Sequence, residues 1–137
     1  MSLTALIAIS VLQPLSFGEI AIVKNSIASR LVVPRGGAPY SYGQIYIIEP
    51  GVPAEVLLYD GPANTELTID VNFNDKMTSV FSTNQFTLRR LDYPTKVYTD
   101  SSGVATFKIG AELANSNNSE VYRDIDYATD FSITVSF

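Results

Sequence analysis

The sequence predicts an all-β protein: an antiparallel β-sandwich in the immunoglobulin-like, Greek-key style, with about nine or ten short strands and little or no helix. Three observations predict it. Apolar residues alternate at period two, most cleanly in "TELTIDVNFN", where Leu67, Ile69, Val71 and Phe73 share one face and Thr68, Asp70 and Asn72 the other. Clusters of Gly, Pro, Asn and Asp separate the apolar segments. No segment shows the helical repeat of about 3.6 residues.

The elements follow in order. "LTALIAISVL" (3–12) sets Ala5, Ile7, Ile9 and Val11 on one face and Leu6, Ala8, Ser10 and Leu12 on the other. Both faces are largely apolar, so the segment is expected to be a strand lying in a groove of the sandwich. Pro14 stops it, because proline cannot donate to a ladder. "LSFG" restarts an extended segment with Phe17 toward the core. "RLVVP" is a β-branched run closed by the turn material of "RGGAPYSYG". "GQIYIIE" and "AEVLLYD" are the next strands, separated by "EPGVP" and followed by "GPAN". After the "TELTIDVNFN" strand, "NQFTLRRLDYP" places Phe86, Leu88 and Arg90 on one face. "GVATFKIGAELA" opposes Ala105, Phe107 and Ile109 to Val104, Thr106 and Lys108. "DFSITVSF" ends the chain with Phe131, Ile133, Val135 and Phe137 pointing one way. No internal repeat or linker divides the chain, so residues 1–137 are expected to form one domain, with strand 1–12 either completing it or exchanged with a neighbour.

Composition bounds the function. The 137 residues carry a net charge of −5, which argues against nucleic acid or an anionic membrane as partner. Hydrophobic residues reach 46% and charged ones only 17%, the composition of a folded core rather than a disordered chain. There is no Cys and no His, which removes the disulfide, the thiolate nucleophile and the commonest general base and metal ligand. The first apolar run is too short for a membrane span of about 20 residues. Lys24 is the first basic residue, so an intact signal peptide is not expected, and "MSL" reads as a start placed after a removed signal.

Chemistry-bearing patterns are sparse. "RGGAPYSYG" leads into no helix and reads as a loop rather than a phosphate cradle. A serine nucleophile lacks a His partner, and the carboxylates fall mostly in turns, where Asp accepts local backbone bonds. No catalytic or cofactor-binding residue is assigned, and no cofactor is expected. Asp124, Asp126 and Asp130 in "RDIDYATD" offer hard oxygen donors for calcium, although a wet strand face gives the same alternation. Tyr40, Tyr42 and Tyr46 in "PYSYGQIYI" form a candidate contact surface, each with a broad apolar ring and one polar tip. Arg89 and Arg90 fall one on each face of their strand, the inward one requiring a partner.

Four segments occur in order: "LSFGEI", "PAEVLLYDGPANTELTIDV", "SSGVATFKIGAELA" and "YATDFSITVSF". Together they resemble the bacterial secreted family catalogued as domain of unknown function 4402. The family's glycine after the "PA" strand stands here as Gly61 behind Asp60, and its late "VG" as Ile109-Gly110. The resemblance implies an exported β-sandwich, secreted or on the bacterial cell surface, similar in style to fimbrial subunits; it implies no activity. The function expected is a non-enzymatic structural subunit of a surface or extracellular assembly. Its partners would be other copies or other surface proteins, and Ala5, Ile7, Ile9 and Val11 would carry strand exchange. The alternative is a surface module binding glycans, and the least favoured reading is a hydrolase using paired carboxylates.

Overall fold

The computed structural model describes residues 7–23, 26–73, 76–77, 86–117 and 131–137. Among these residues the chain forms strands and no helix. In order they are β1 (Ala8–Gln13), β2 (Ser16–Ile22), β3 (Arg30–Val33), β4 (Tyr40–Tyr42), β5 (Ile45–Val52) and β6 (Ala54–Tyr59). Then come β7 (Glu66–Phe73), β8 (Lys76–Met77), β9 (Phe86–Asp92), β10 (Lys96–Tyr98), β11 (Ala105–Asn115) and β12 (Phe131–Ser136).

They form two layers. One is a seven-stranded sheet running β1-β6-β11-β3-β4, with β9 also paired to β11 and β8 paired to β9. The other is split into a three-stranded sheet, β10-β7-β12, and a two-stranded sheet, β2-β5. All the strand pairings described are antiparallel. The long β11 organises the large sheet. Its first half (Ala105–Ile109) pairs with β6, and residues 111–114 lie between β3 and β9.

Each part of the split layer closes its own core. Ala54, Val56 and Leu58 of β6 and Ala105, Phe107 and Ile109 of β11 pack against Leu67, Ile69 and Val71 of β7. Val97 of β10 and Phe131, Ile133 and Val135 of β12 complete this cluster from the sides. The second cluster joins Leu31, Phe86 and Leu113 of the large sheet to Ile45, with Phe17, Ile20, Ile22 and Ile47 around it. The alternation of β7 and β12 thus has its expected consequence. Leu67, Ile69 and Val71 are buried and Phe131, Ile133 and Val135 half-buried, while Phe73 at the end of β7 is exposed; each fully buried large aliphatic side chain stabilises the fold by about 1.5–3 kcal/mol.

Two connections lock the layers. Asp100 accepts from Ser102 N at 2.8 Å and Val104 N at 3.0 Å through Oδ1, shaping the turn before β11. Gly103 in that turn has φ of 73°, and its N-terminal neighbour in space is the turn after β6, where Gly61 N donates to Gly103 O at 3.2 Å. A side chain at Gly103 would collide with the carbonyl oxygen of Gly61. At the other end, buried Asn115 accepts from Ser29 N at 3.0 Å and donates to Ile27 O at 2.8 Å. Ser29 Oγ accepts from Gln44 N at 2.8 Å, so one polar knot ties the approach to β3, the β4–β5 turn and the end of β11.

Three details depart from the sequence reading. Ile9 was expected inside and is 41% exposed. Its pairing with buried Leu58 points it to the inner side, but among the described residues β1 is the edge of its sheet, and the side chain stays open to solvent. Phe137 lies past the end of β12 and is also exposed. In β9 the period-two pattern breaks: Glu112 of β11 faces Arg90, but the next residue, Leu113, faces Leu88. Arg89 is therefore the extra residue of a β-bulge. Arg90 moves to the outer face, and Leu91 packs against the core in its place.

Candidate functional site

The first candidate is β1. It is paired with β6 of its own chain through Ala8↔Tyr59, Ile9↔Leu58, Ser10↔Leu57 and Val11↔Val56. Leu12 is extra at a bulge before Gln13↔Glu55. Because Leu58 and Val56 are fully buried, Ile9 and Val11 sit on the core-facing side of the sheet, yet both are exposed. Among the described residues, Ile7 just ahead of the strand and Leu15 just after it pack against the core. Among the described residues β1 pairs with β6 alone, and its sequence AISVLQ holds no charge. An uncharged, β-branched edge is a template for pairing with another strand. Ala5 lies outside the described residues.

The second candidate is the tyrosine surface. Tyr40, Tyr42 and Tyr46 are all exposed, but the structure divides them. Tyr42 is paired with Arg30 and Tyr40 with Val32, so both rings stand on the outer face of the large sheet. Their centroids lie 5.6 Å apart with planes at 82°, an edge-to-face pair. Tyr46 alternates with Ile45 and Ile47, which join the second core, and so faces outward from the other layer.

Next to Tyr40 and Tyr42 lies a charged cluster that sequence reasoning missed. Glu112 of β11 is on the outer face, opposite Val32 of β3 and Arg90 of β9. Its side chain is only 6% exposed, because three arginines cover it. Arg89 Nε lies 3.3 Å from Oε2, Arg90 Nη2 3.4 Å from Oε1, and Arg30 Nη1 3.9 Å from Oε2. The bulge makes this possible, since it lets two consecutive arginines reach one carboxylate. The only signal in the sequence was a lone Glu in an apolar run, "GAELA", with basic residues in two other strands; the pairing register was needed to join them.

A second charged group lies on the β7–β10 pair. Glu66 Oε2 accepts from Tyr98 Oη at 2.9 Å, and Lys96 Nζ lies 3.1 Å from Oε1. The Tyr98 hydroxyl, and then Lys96, hold the Glu66 carboxyl below its ordinary range. The same bond to Glu66 raises the Tyr98 phenol.

The calcium candidates Asp124, Asp126 and Asp130 lie outside the described residues. Among the described residues no three acidic side chains gather as a metal site, and no helix is long and apolar enough to cross a membrane.

Neither a curated protein nor a solved structure matches this chain. A family model does match, over residues 7–137, and thus spans every strand from β1 to β12. The β-sandwich built from "LSFGEI", "PAEVLLYDG", "GVATFKIGAELA" and the closing aromatic strand therefore belongs to the family described as domain of unknown function (DUF4402).

Proposed function

We propose that this chain is a non-enzymatic structural subunit of a bacterial cell-surface or extracellular assembly, joined to its neighbours through β1. One observation carries the reading: the edge strand turns Ile9 and Val11 toward the core side of the sheet but leaves them uncovered. A strand from a second copy laid along β1 would pair with the edge that has no partner among the described residues and cover these side chains. Two β1 edges laid together close as a dimer, whereas a different strand of the second copy on β1 makes a head-to-tail contact that extends into filaments where the rotation does not close.

Sedimentation velocity over a range of concentrations tests this. The intact chain is expected to self-associate, and Ile9→Lys to stay monomeric with little change in melting temperature, because this residue is already solvent-accessible. A chain that stays monomeric at every concentration, or an Ile9→Lys variant that associates as well as the parent, contradicts the reading.

A further inference from the structure

We infer that the outer face of the large sheet, where Arg30, Arg89 and Arg90 converge on Glu112 beside Tyr40 and Tyr42, is a binding site for a carboxylate-bearing saccharide. The inference is independent of the assembly role, since it uses β3, β4, β9 and β11 and none of β1.

Two rows of side chains cross this face. The first runs Tyr42, Arg30, Ala114, Thr87; the second runs Tyr40, Val32, Glu112, Arg90. Arg89 enters from the bulge. The middle of the face is therefore cationic and one flank aromatic.

The charge balance is the first argument. Among the described residues one carboxylate meets three guanidinium groups, an excess of two positive charges on a chain whose net charge is −5. A single arginine would neutralise Glu112. Two further cations held close to it repel each other, and an added anion between them lowers that repulsion. Glu112 acts here as a positioning residue. It is buried, and it meets Arg89 and Arg90 through one nitrogen each with Arg30 3.9 Å away, so the guanidinium groups are gathered while their outer parts stay accessible. Arginine carries five donors in a planar fork that matches a carboxylate in two bonds.

The tyrosines decide the rest of the ligand. Tyr42 is the direct cross-strand neighbour of Arg30, which sets their Cβ atoms about 4.5–5.5 Å apart. Tyr42 is 59% exposed and Tyr40 45%, an unusual exposure for two aromatic rings in contact. A ring of this kind offers an apolar face to the C–H side of a pyranose and a hydroxyl to its oxygens. A carboxylate on the arginines with a sugar ring on Tyr42 uses both halves of the face.

Calorimetric titration of the intact protein with trigalacturonate and with sialyllactose tests the inference, with lactose as the neutral counterpart. At least one acidic saccharide is expected to bind saturably and at least tenfold more tightly than lactose, and to weaken as salt is raised. Arg30→Ala and Tyr42→Ala should each lower that affinity at least tenfold with the melting temperature nearly unchanged, because both side chains are exposed. Ile9→Lys should bind as the parent does, which separates this site from the assembly contact. The inference is overturned if neither acid saturates, if lactose binds equally, or if both variants bind undiminished. It is also overturned if a polyglutamate peptide displaces the saccharide at equal concentration, since the site would then select charge alone.

Discussion

Glu66 shows how much a single position on a wet strand face can be tuned. It stands opposite Tyr98 in the β7–β10 pair, and the phenol reaches its carboxylate from the neighbouring strand. The bond favours the ionised carboxylate and the protonated phenol together, which lowers one group and raises the other. The depressed Glu66 contributes stability at pH values above its unfolded pKa, and the contribution fades as pH falls through the folded one. Tyr98 works in the opposite sense: its contribution is present below the unfolded phenol pKa and fades as pH rises through the folded one. Both groups are exposed, so the effect belongs to titration more than to stability. Carbon-detected NMR titration should find Glu66 below the ordinary glutamate range, and Tyr98→Phe should move it upward while Lys96 keeps part of the depression. An unchanged Glu66 titration in Tyr98→Phe would show that the phenol is not its partner.

At the scale of elements, β11 bears the most constraint. It changes partners along its length, and Gly110 marks the change. The chain leaving β3 passes so close that a Cβ at Gly110 would collide with the Val33 carbonyl oxygen and the Arg35 nitrogen. That close passage carries Arg35 to β9, where its Nε lies 3.3 Å from Asp92 Oδ1. Gly110→Ala is therefore expected to destabilise the protein by about 1–3 kcal/mol, the usual cost of overpacking, because backbone on both sides must yield. Chemical denaturation measures it; a variant as stable as the parent would mean that β3 and β11 are not packed this closely.

The same elements show what the sequence could disclose. β7 and β12 were legible because they have one wet and one dry face, so Leu67, Ile69 and Val71 repeat at period two without a break. β9 was not, because the bulge at Arg89 shifts the phase and period-two counting from Phe86 sends Arg90 inward. Glu112 was hidden for a related reason. A glutamate in an apolar run reads as a strand residue until register brings Arg30 and Arg90 to its two sides. The tyrosines read as a candidate contact surface, but adjacency in sequence does not show that a turn carries Tyr46 to the other layer.

For the whole molecule, the split second layer matters most. β10-β7-β12 and β2-β5 each cover part of the large sheet, while Ile9 and Val11 at its β1 edge remain uncovered. β1 has a domain to belong to and a flank left over. The assembly reading and the saccharide reading draw on different parts of this layout, the first on the edge of the large sheet and the second on its outer face. Amide hydrogen exchange of β1 as a function of protein concentration tests the central claim most directly. The amides of Ala8–Gln13 bonded to β6 should be protected at all concentrations, and those on the free edge should gain protection as concentration rises. Free-edge amides that exchange equally fast at every concentration would contradict assembly through β1.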